Sequence, residues 1–309
     1  MSKIKMPSAK DVGFSTFVPF PKFEDYSEKY KDNIIMERRD GVIMLRMHTH
    51  NKPIVWEAVI HRSIHQALNE VNQDPENHVM ILTATGDWWV AYGPAADASN
   101  VHKEDNHAVR MRATKDIYMG DGMPIQENLI AMKIPTIGAI NGSGYHHEMA
   151  LHCDLTICTE DTVMMDVHRW MGFTSGDGMS CAFKEFMGTK RANYAMLMGN
   201  PITAKQALEW GMVNEVVPRA NIYDRAWELG KELMRGGKEA WFYRRLMVEI
   251  MRKPLKMRFA NDFSSEFINE MLGYMVDDRI GHHDDALEKM WENSGKELPD
   301  WFTIPEHKD

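Results

Sequence analysis

Residues 145–154 read YHHEMALHCD, which places His146, His147, His152, Glu148 and Cys153 within ten positions. His147 and Glu148 open the His-Glu-x-x-His pattern by which helical zinc proteases hold their ion, but the second histidine arrives at His152, one position late. At about 100° per residue the two rings would stand about 140° apart around a helix, so they cannot grip one ion as an i, i+4 pair does. Glu148 and His152 do have i, i+4 spacing, yet a carboxylate and an imidazole so spaced are usually an ordinary hydrogen-bonded pair. No metal and no cofactor is expected.

A second set of groups suits proton transfer. His168 and Asp177 lie nine positions apart across a stretch punctuated by Gly172, Gly176 and Gly178. Such a loop lets the chain fold back, and a carboxylate that fixes an imidazole's tautomer and stabilises its protonated form makes that histidine a base for water. Read alone, Asp177 fits better as the cap of the helix expected from Met179. Upstream, Trp56 and His61 bracket the start of a helix whose apolar stripe is Ile60, Ile64, Ala67, Leu68 and Val71. By 100° steps His61 lies about 75° from the stripe centre, bordering the core, and His65 about 115°, facing solvent. An indole N–H beside a pocket is a donor suited to a carbonyl oxygen. Glu266 flanks the Phe263 and Phe267 stripe, where it serves either a pocket or the solvated face of its helix.

The elements that must carry these groups alternate between strand and helix. Strand-like runs occupy 41–48, 77–86, 134–142, 154–159 and 163–168, and a helical pattern follows the Lys52–Pro53 break. MSCAFKEFMG reads as a short helix ending at Gly188, and TAKQALEWG as one closed by Gly211 before a last strand. That alternation predicts an α/β layered fold. Residues 1–33 read as a docking arm, 34–220 as one core domain and 221–309 as a helical C-terminal region, with Phe259, Phe263, Phe267 and Met271 at four-residue intervals.

Composition narrows the partners. A net charge of −9 argues against nucleic acid, and no run approaches the roughly 18 apolar residues of a membrane span or shows the h-region of a signal peptide. Three cysteines, Cys153, Cys158 and Cys181, imply no disulfide framework and suit a reduced, cytoplasmic setting.

The runs ILTATG, KIPTIGAINGSGY, EMALHCDLTICTED and GTKRANYAMLMGNPITAKQALEWGMVNEVV, in that order and spacing, resemble the crotonase (enoyl-CoA hydratase/isomerase) superfamily over residues 34–275. The resemblance implies a spiral of ββα units, assembly as trimers or dimers of trimers through the C-terminal region, which also lids the pocket, and a pair of backbone N–H groups that stabilise an enolate or oxyanion. Ala91 and Tyr145 are the candidates for that pair. His146 and His147 stand where hydratases carry small glycines, and His168 takes the place of their second acid, leaving only Glu148. Water addition by two carboxylates is therefore not expected. Within the superfamily the chain resembles the β-diketone hydrolase branch typified by 6-oxocamphor hydrolase, on Trp56 with His61, His146 before Glu148, His168 with Asp177, and a late Glu266. Counting forward from Asn141 would favour His147 in place of His146; His146 is taken as catalytic and His147 as a substrate neighbour. The resemblance implies that His168 and Asp177 activate water, while Trp56, His61 and His146 hold a small diketone on the opposite wall and Glu266 is a further substrate contact. The alternatives are a coenzyme A thioester hydratase or thioesterase using Glu148, and a non-catalytic scaffold.

Overall fold

The structure, a computed structural model, describes residues 19–56, 58–90, 111–171 and 174–276. Its centre is a six-stranded sheet in the order β1 (Ile34–Arg39), β2 (Val42–Met47), β3 (Val79–Ala84), β4 (Thr136–Ile140), β5 (Leu155–Thr159) and β8 (Glu215–Val217). The β1–β2 pair is an antiparallel hairpin and every other pairing is parallel. β6 (Val163–Met164) and β7 (Ile202–Thr203) form a separate antiparallel pair. The helices are α1 (Phe23–Lys29), α2 (Ala58–Gln73), a π-helix (Thr114–Gly122), α3 (Met123–Ile130), α4 (Glu148–Leu151), α5 (His168–Met171), α6 (Met179–Phe186), α7 (Thr189–Met198), α8 (Ala204–Glu209), α9 (Ile222–Leu233), α10 (Trp241–Met251) and α11 (Lys253–Val276).

The sheet is covered on both faces, which is why β3 and β4 are buried at every position. Alternate side chains divide between the layers. Ile43, Leu45, Met80 and Leu82 join Ile60, Ile64, Ala67 and Leu68 of α2, while Val42, Ile81, Ile137 and Ile157 join Ile222 and Ala226 of α9. Thr203 starts α8 with a capping box, its hydroxyl accepting from the N–H of Gln206 and the Gln206 side chain accepting in return.

α11 lays Phe259, Phe263, Phe267 and Met271 into a second apolar cluster with Tyr118, Ile130 and Cys181. Phe263 is fully buried and stacks on Phe259 at 4.1 Å; a Phe so placed stabilises the fold by about 1.5–3 kcal/mol relative to an exposed one. That cluster anchors α11 over α6 and the π-helix and so delivers its glutamates to the interior.

Five expected strands are present, the run at 163–168 only in part. It leaves the sheet after Met164, and His168 opens α5 instead of ending a strand. β1 and the π-helix are not anticipated: IIMERR is half polar, as an edge strand tolerates, and TKDIYMGDG has no apolar period of four. No helix among the described residues is long and apolar enough to cross a membrane, and the three cysteines are buried and free.

Candidate active site

Beyond β4 the chain turns sharply before α4. Asn141 braces the turn by donating from Nδ2 to the carbonyls of Gly86 (2.7 Å) and Trp88 (3.0 Å). Gly144, with φ 142°, lies so close to the neighbouring segment that a Cβ would stand 2.1 Å from the Val90 carbonyl oxygen, so only glycine fits. His146 then adopts φ 55°, a left-handed conformation uncommon for a residue with a side chain. The Trp89 indole N–H holds that strained residue by donating to its carbonyl at 2.8 Å.

The His146 ring meets three partners. Its Nδ1 is 2.9 Å from Glu148 Oε1 and 3.2 Å from Asp177 Oδ2, and its face stacks on Trp56 at 4.1 Å and 30°. Trp56 in turn lies 4.5 Å from the His61 ring. Burial alone would push the His146 pKa down, but the charges of Glu148 and Asp177 and their hydrogen bonds outweigh it and raise it to about 10. His146 is thus an imidazolium at neutral pH, with Nδ1–H spent on carboxylates and Nε2–H a second donor. Burial, helped by the Asp177 charge, raises Glu148 to about 7. Asp177 is held well below the usual range: burial opposes this, and the His168 and His146 charges prevail.

A second imidazole–carboxylate pair adjoins the first. His168 Nδ1 lies 2.6 Å from Asp166 Oδ1, which also accepts the His168 backbone N–H at 2.9 Å, and Nε2 is 3.6 Å from Glu270 Oε1. Against burial, the charges of Asp166 and Asp177 raise His168 well above its ordinary value. Burial raises Glu270. The buried Tyr118, edge-on to His61 at 6.2 Å, completes this side, its phenol pushed up by burial and the Glu270 charge.

Several expectations need correction. Asp177 ion-pairs with His146, not His168; because His168 opens α5, the carboxylate two residues before it, Asp166, meets its Nδ1. Asp177 also accepts the Met179 N–H at 3.2 Å, so the capping role holds alongside the ion pair. The supposed opposite walls are therefore joined through Asp177. His147 is fully buried, parallel to Trp89, with Nε2 3.4 Å from the Gly142 carbonyl and a pKa lowered by burial to about 3; it points into the core. The Tyr145 N–H donates to the Val90 carbonyl at 3.2 Å and is not an open oxyanion donor. Ala91 lies outside the described residues. Glu266 is bound by Ser180, Lys184 and Cys181, one turn away from Glu270. His65 is not solvated but pairs with Asp121 at 3.1 Å, beside Arg62.

His147 and His152 turn to different partners, His152 Nδ1 lying 2.8 Å from Gln126 Oε1, so the helical zinc pattern has no counterpart in space. His146, Glu148 and Asp177 each bring one ligand-type atom within 4.8 Å of the others, a spacing that would admit a cation. Both carboxylates, however, sit at hydrogen-bond distance from Nδ1, so the imidazolium already supplies the positive charge. Asp166, Glu270, Gln126 and Trp89 were missed in the sequence. Only Glu270 carried a usable signal: by 100° steps it lies about 40° from the centre of the Phe259–Met271 stripe, and Glu266 about 80°.

Comparison with known proteins agrees with this fold. Residues 37–276 match the family model for enoyl-CoA hydratase/isomerase. The chain belongs to that family and is a crotonase-superfamily enzyme. It is 26% identical to the hydroxycinnamoyl-CoA hydratase-lyase of Pseudomonas fluorescens over 68% of this chain and 75% of that protein. It is 28% identical to the fatty acid oxidation complex subunit alpha of Shewanella putrefaciens over 63% of this chain, a match spanning only 27% of that longer protein. Among solved structures, a β-diketone hydrolase from the cyanobacterium Anabaena sp. PCC 7120, bound to (S)-3-oxocyclohexyl acetic acid, superposes with a TM-score of 0.71 and 27% identity over 81% of this chain and 97% of that one.

Proposed function

We propose that this enzyme hydrolyses a carbon–carbon bond of a cyclic or otherwise non-enolisable β-diketone by a retro-Claisen reaction. The observation that carries the reading is the pair of imidazole–carboxylate units: His146, stacked on Trp56 and clamped by Glu148 and Asp177, beside His168 on Asp166. The likeness to the cyanobacterial hydrolase supports it. Water loses a proton to the His168–Glu270 couple, whose groups stand 3.6 Å apart and titrate together. Asp166 holds His168 Nδ1–H and stabilises the positive charge of the ring. Hydroxide adds to one carbonyl carbon, and the alkoxide is held by Nε2–H of His146 with the Trp56 indole alongside. The bond between that carbon and the α-carbon breaks, its electron pair forming the enolate of the second carbonyl. The couple returns its proton to the α-carbon, leaving a ketone and a carboxylic acid.

The hydratase-lyase relative and the raised pKa of Glu148 favour a second reading, a coenzyme A thioester enzyme with Glu148 as its acid. Incubation with 1,3-cyclohexanediones disubstituted at C2, alongside enoyl- and acyl-coenzyme A esters, separates the two. Keto acid formed in proportion to enzyme is expected; thioester turnover with every diketone inert overturns the proposal, and no turnover of either favours a scaffold. We also expect a trimer or dimer of trimers, since Tyr194, Leu197, Trp241, Phe242, Ile250 and Ile268 expose apolar surface on α7, α10 and α11. Light scattering after size exclusion measures that directly.

A further inference from the structure

Behind His146 and Glu148 runs a buried polar chain that the reaction scheme leaves unused. Gln126, on α3, donates from Nε2 to Glu148 Oε1 at 3.1 Å, and its Oε1 lies 2.8 Å from Nδ1 of His152, at the end of α4. Both residues are buried, at 4% and 1% exposure. His152 Nε2 has no hydrogen-bond partner among the described residues. Phe259 meets the ring edge-on at 5.9 Å, and Gly178, with φ 93°, comes so near that a Cβ there would stand 2.9 Å from Cε1.

The direction of this chain follows from where the ring proton can sit. An amide oxygen only accepts, so the His152 nitrogen facing it carries the hydrogen, and the bare Nε2 is left as an unmet acceptor. Turning the amide over would set its oxygen against the Glu148 carboxylate. It would also move the ring proton to Nε2, leaving a buried N–H without a partner, the rarer and costlier defect. The apolar surroundings thus hold the ring in one tautomer, the ring holds the amide one way round, and the amide presents an N–H to Glu148.

We infer that Gln126 and His152 are positioning residues, a one-way hydrogen-bond chain that holds Glu148 as a carboxylate beside the His146 ring. The inference deepens the proposed reaction and rests on it for its effect on rate, not for its effect on ionisation. Glu148 is faced by Gln126, His146 and Asp177; His146 by Glu148 and Asp177, with His147 and Glu270 near; and Asp177 by His168. Replacing Gln126 or His152 leaves all the other groups in place, so a shift in the Glu148 titration reads the contribution of the chain.

The test is ¹⁵N NMR of the histidine rings and ¹³C NMR of the Glu148 carboxyl in the substrate-free protein, paired with a pH profile of kcat/KM on a cyclic diketone. In the wild type His152 should carry its proton on Nδ1. In Gln126→Leu and His152→Leu the Glu148 titration, near 7 in the wild type, should move up by about one pH unit, the worth of a hydrogen bond to a buried charge. The acid limb of kcat/KM should follow it, since the carboxylate that clamps His146 is lost at higher pH. His152→Asn, whose amide nitrogen takes the place of Nδ1, should restore both. A wild-type His152 protonated on Nε2, or a Glu148 titration unmoved in both leucine variants, overturns the inference. If the leucine variants do not fold, the wild-type tautomer and a Glu148 titration in His152→Asn equal to wild type decide it. A Glu148 shift without diketone turnover would keep the positioning pair and reject the reaction; turnover with no shift would do the reverse.

Discussion

Glu266 and Glu270 stand one turn apart on α11 in surroundings of opposite kind. Glu266 accepts from Ser180 and from Lys184 at 2.8 Å through one oxygen and from the Cys181 thiol at 3.3 Å through the other, while Lys184 also reaches Asp262. Its capacity is filled and its charge is matched. Glu270 is more deeply buried, with one oxygen 3.6 Å from His168 Nε2 and the other without a hydrogen-bond partner among the described residues. It also shares its neighbourhood with the Asp177 charge, so it binds a proton more tightly than an ordinary carboxyl. A buried carboxylate closed by a cation stabilises a packing arrangement; one left partly open among charges of its own sign is placed to exchange protons.

The comparison breaks first if the open cluster proves inert. His168→Ala should lower kcat by about 10²- to 10⁴-fold, the usual contribution of a positioned base, with the circular dichroism spectrum unchanged. Asp166→Asn should reduce kcat less, because the amide still positions the ring but no longer stabilises its charge. Full activity in both would remove His168 from the reaction. His146→Ala should reduce kcat/KM by about 10²- to 10³-fold, the range for loss of one oxyanion donor. Trp56→Phe keeps the stacked ring and removes only the N–H, so its smaller loss should fall partly in KM; a larger effect for Trp56→Phe than for His146→Ala would exchange their roles.

The layered architecture was legible because it rests on local patterns: strand runs at the right spacing and glycine stops. The group of Trp56, His61 and His146 was named correctly as neighbours, on a resemblance that fixes order along the chain. What failed was pairing. Asp166 and Asp177 are both within reach of His168 in sequence, and only the early end of β6 and the left-handed turn at His146 decide which carboxylate meets which ring. The partner of His152 was not legible, because Gln126 is 26 positions away and carries no charge to attract notice. The π-helix that brings up Tyr118 has no apolar repeat by which to find it.

A finer test compares the two glutamates directly. Glu270→Gln should cost about 10- to 10²-fold in kcat/KM, the equivalent of one hydrogen bond to a charged partner. Removing a partly unpaired buried charge should leave the unfolding midpoint in urea equal or higher. A loss of stability with no loss of rate would make Glu270 as structural as its neighbour.

Glu266→Gln gives the smallest effect and the sharpest control. The amide keeps the side chain's length and can still accept from Ser180 and Lys184, so the charge and the weak acceptor for the Cys181 thiol are what is lost. Lys184 retains Asp262 at 3.4 Å and is itself part-exposed, so its ammonium is not stranded. The pair is intermediate between a surface ion pair and a buried one, and a stability loss of about 1 kcal/mol is expected in urea titration. The kinetic constants should stay within roughly twofold, since about 0.4 kcal/mol is the most that a change in packing one turn away should transmit to the transition state. A rate loss at Glu266 equal to that at Glu270, with both proteins folded, would show that the filled and the open carboxylate act as one unit, and the difference in their hydrogen bonding would no longer separate structure from chemistry on α11.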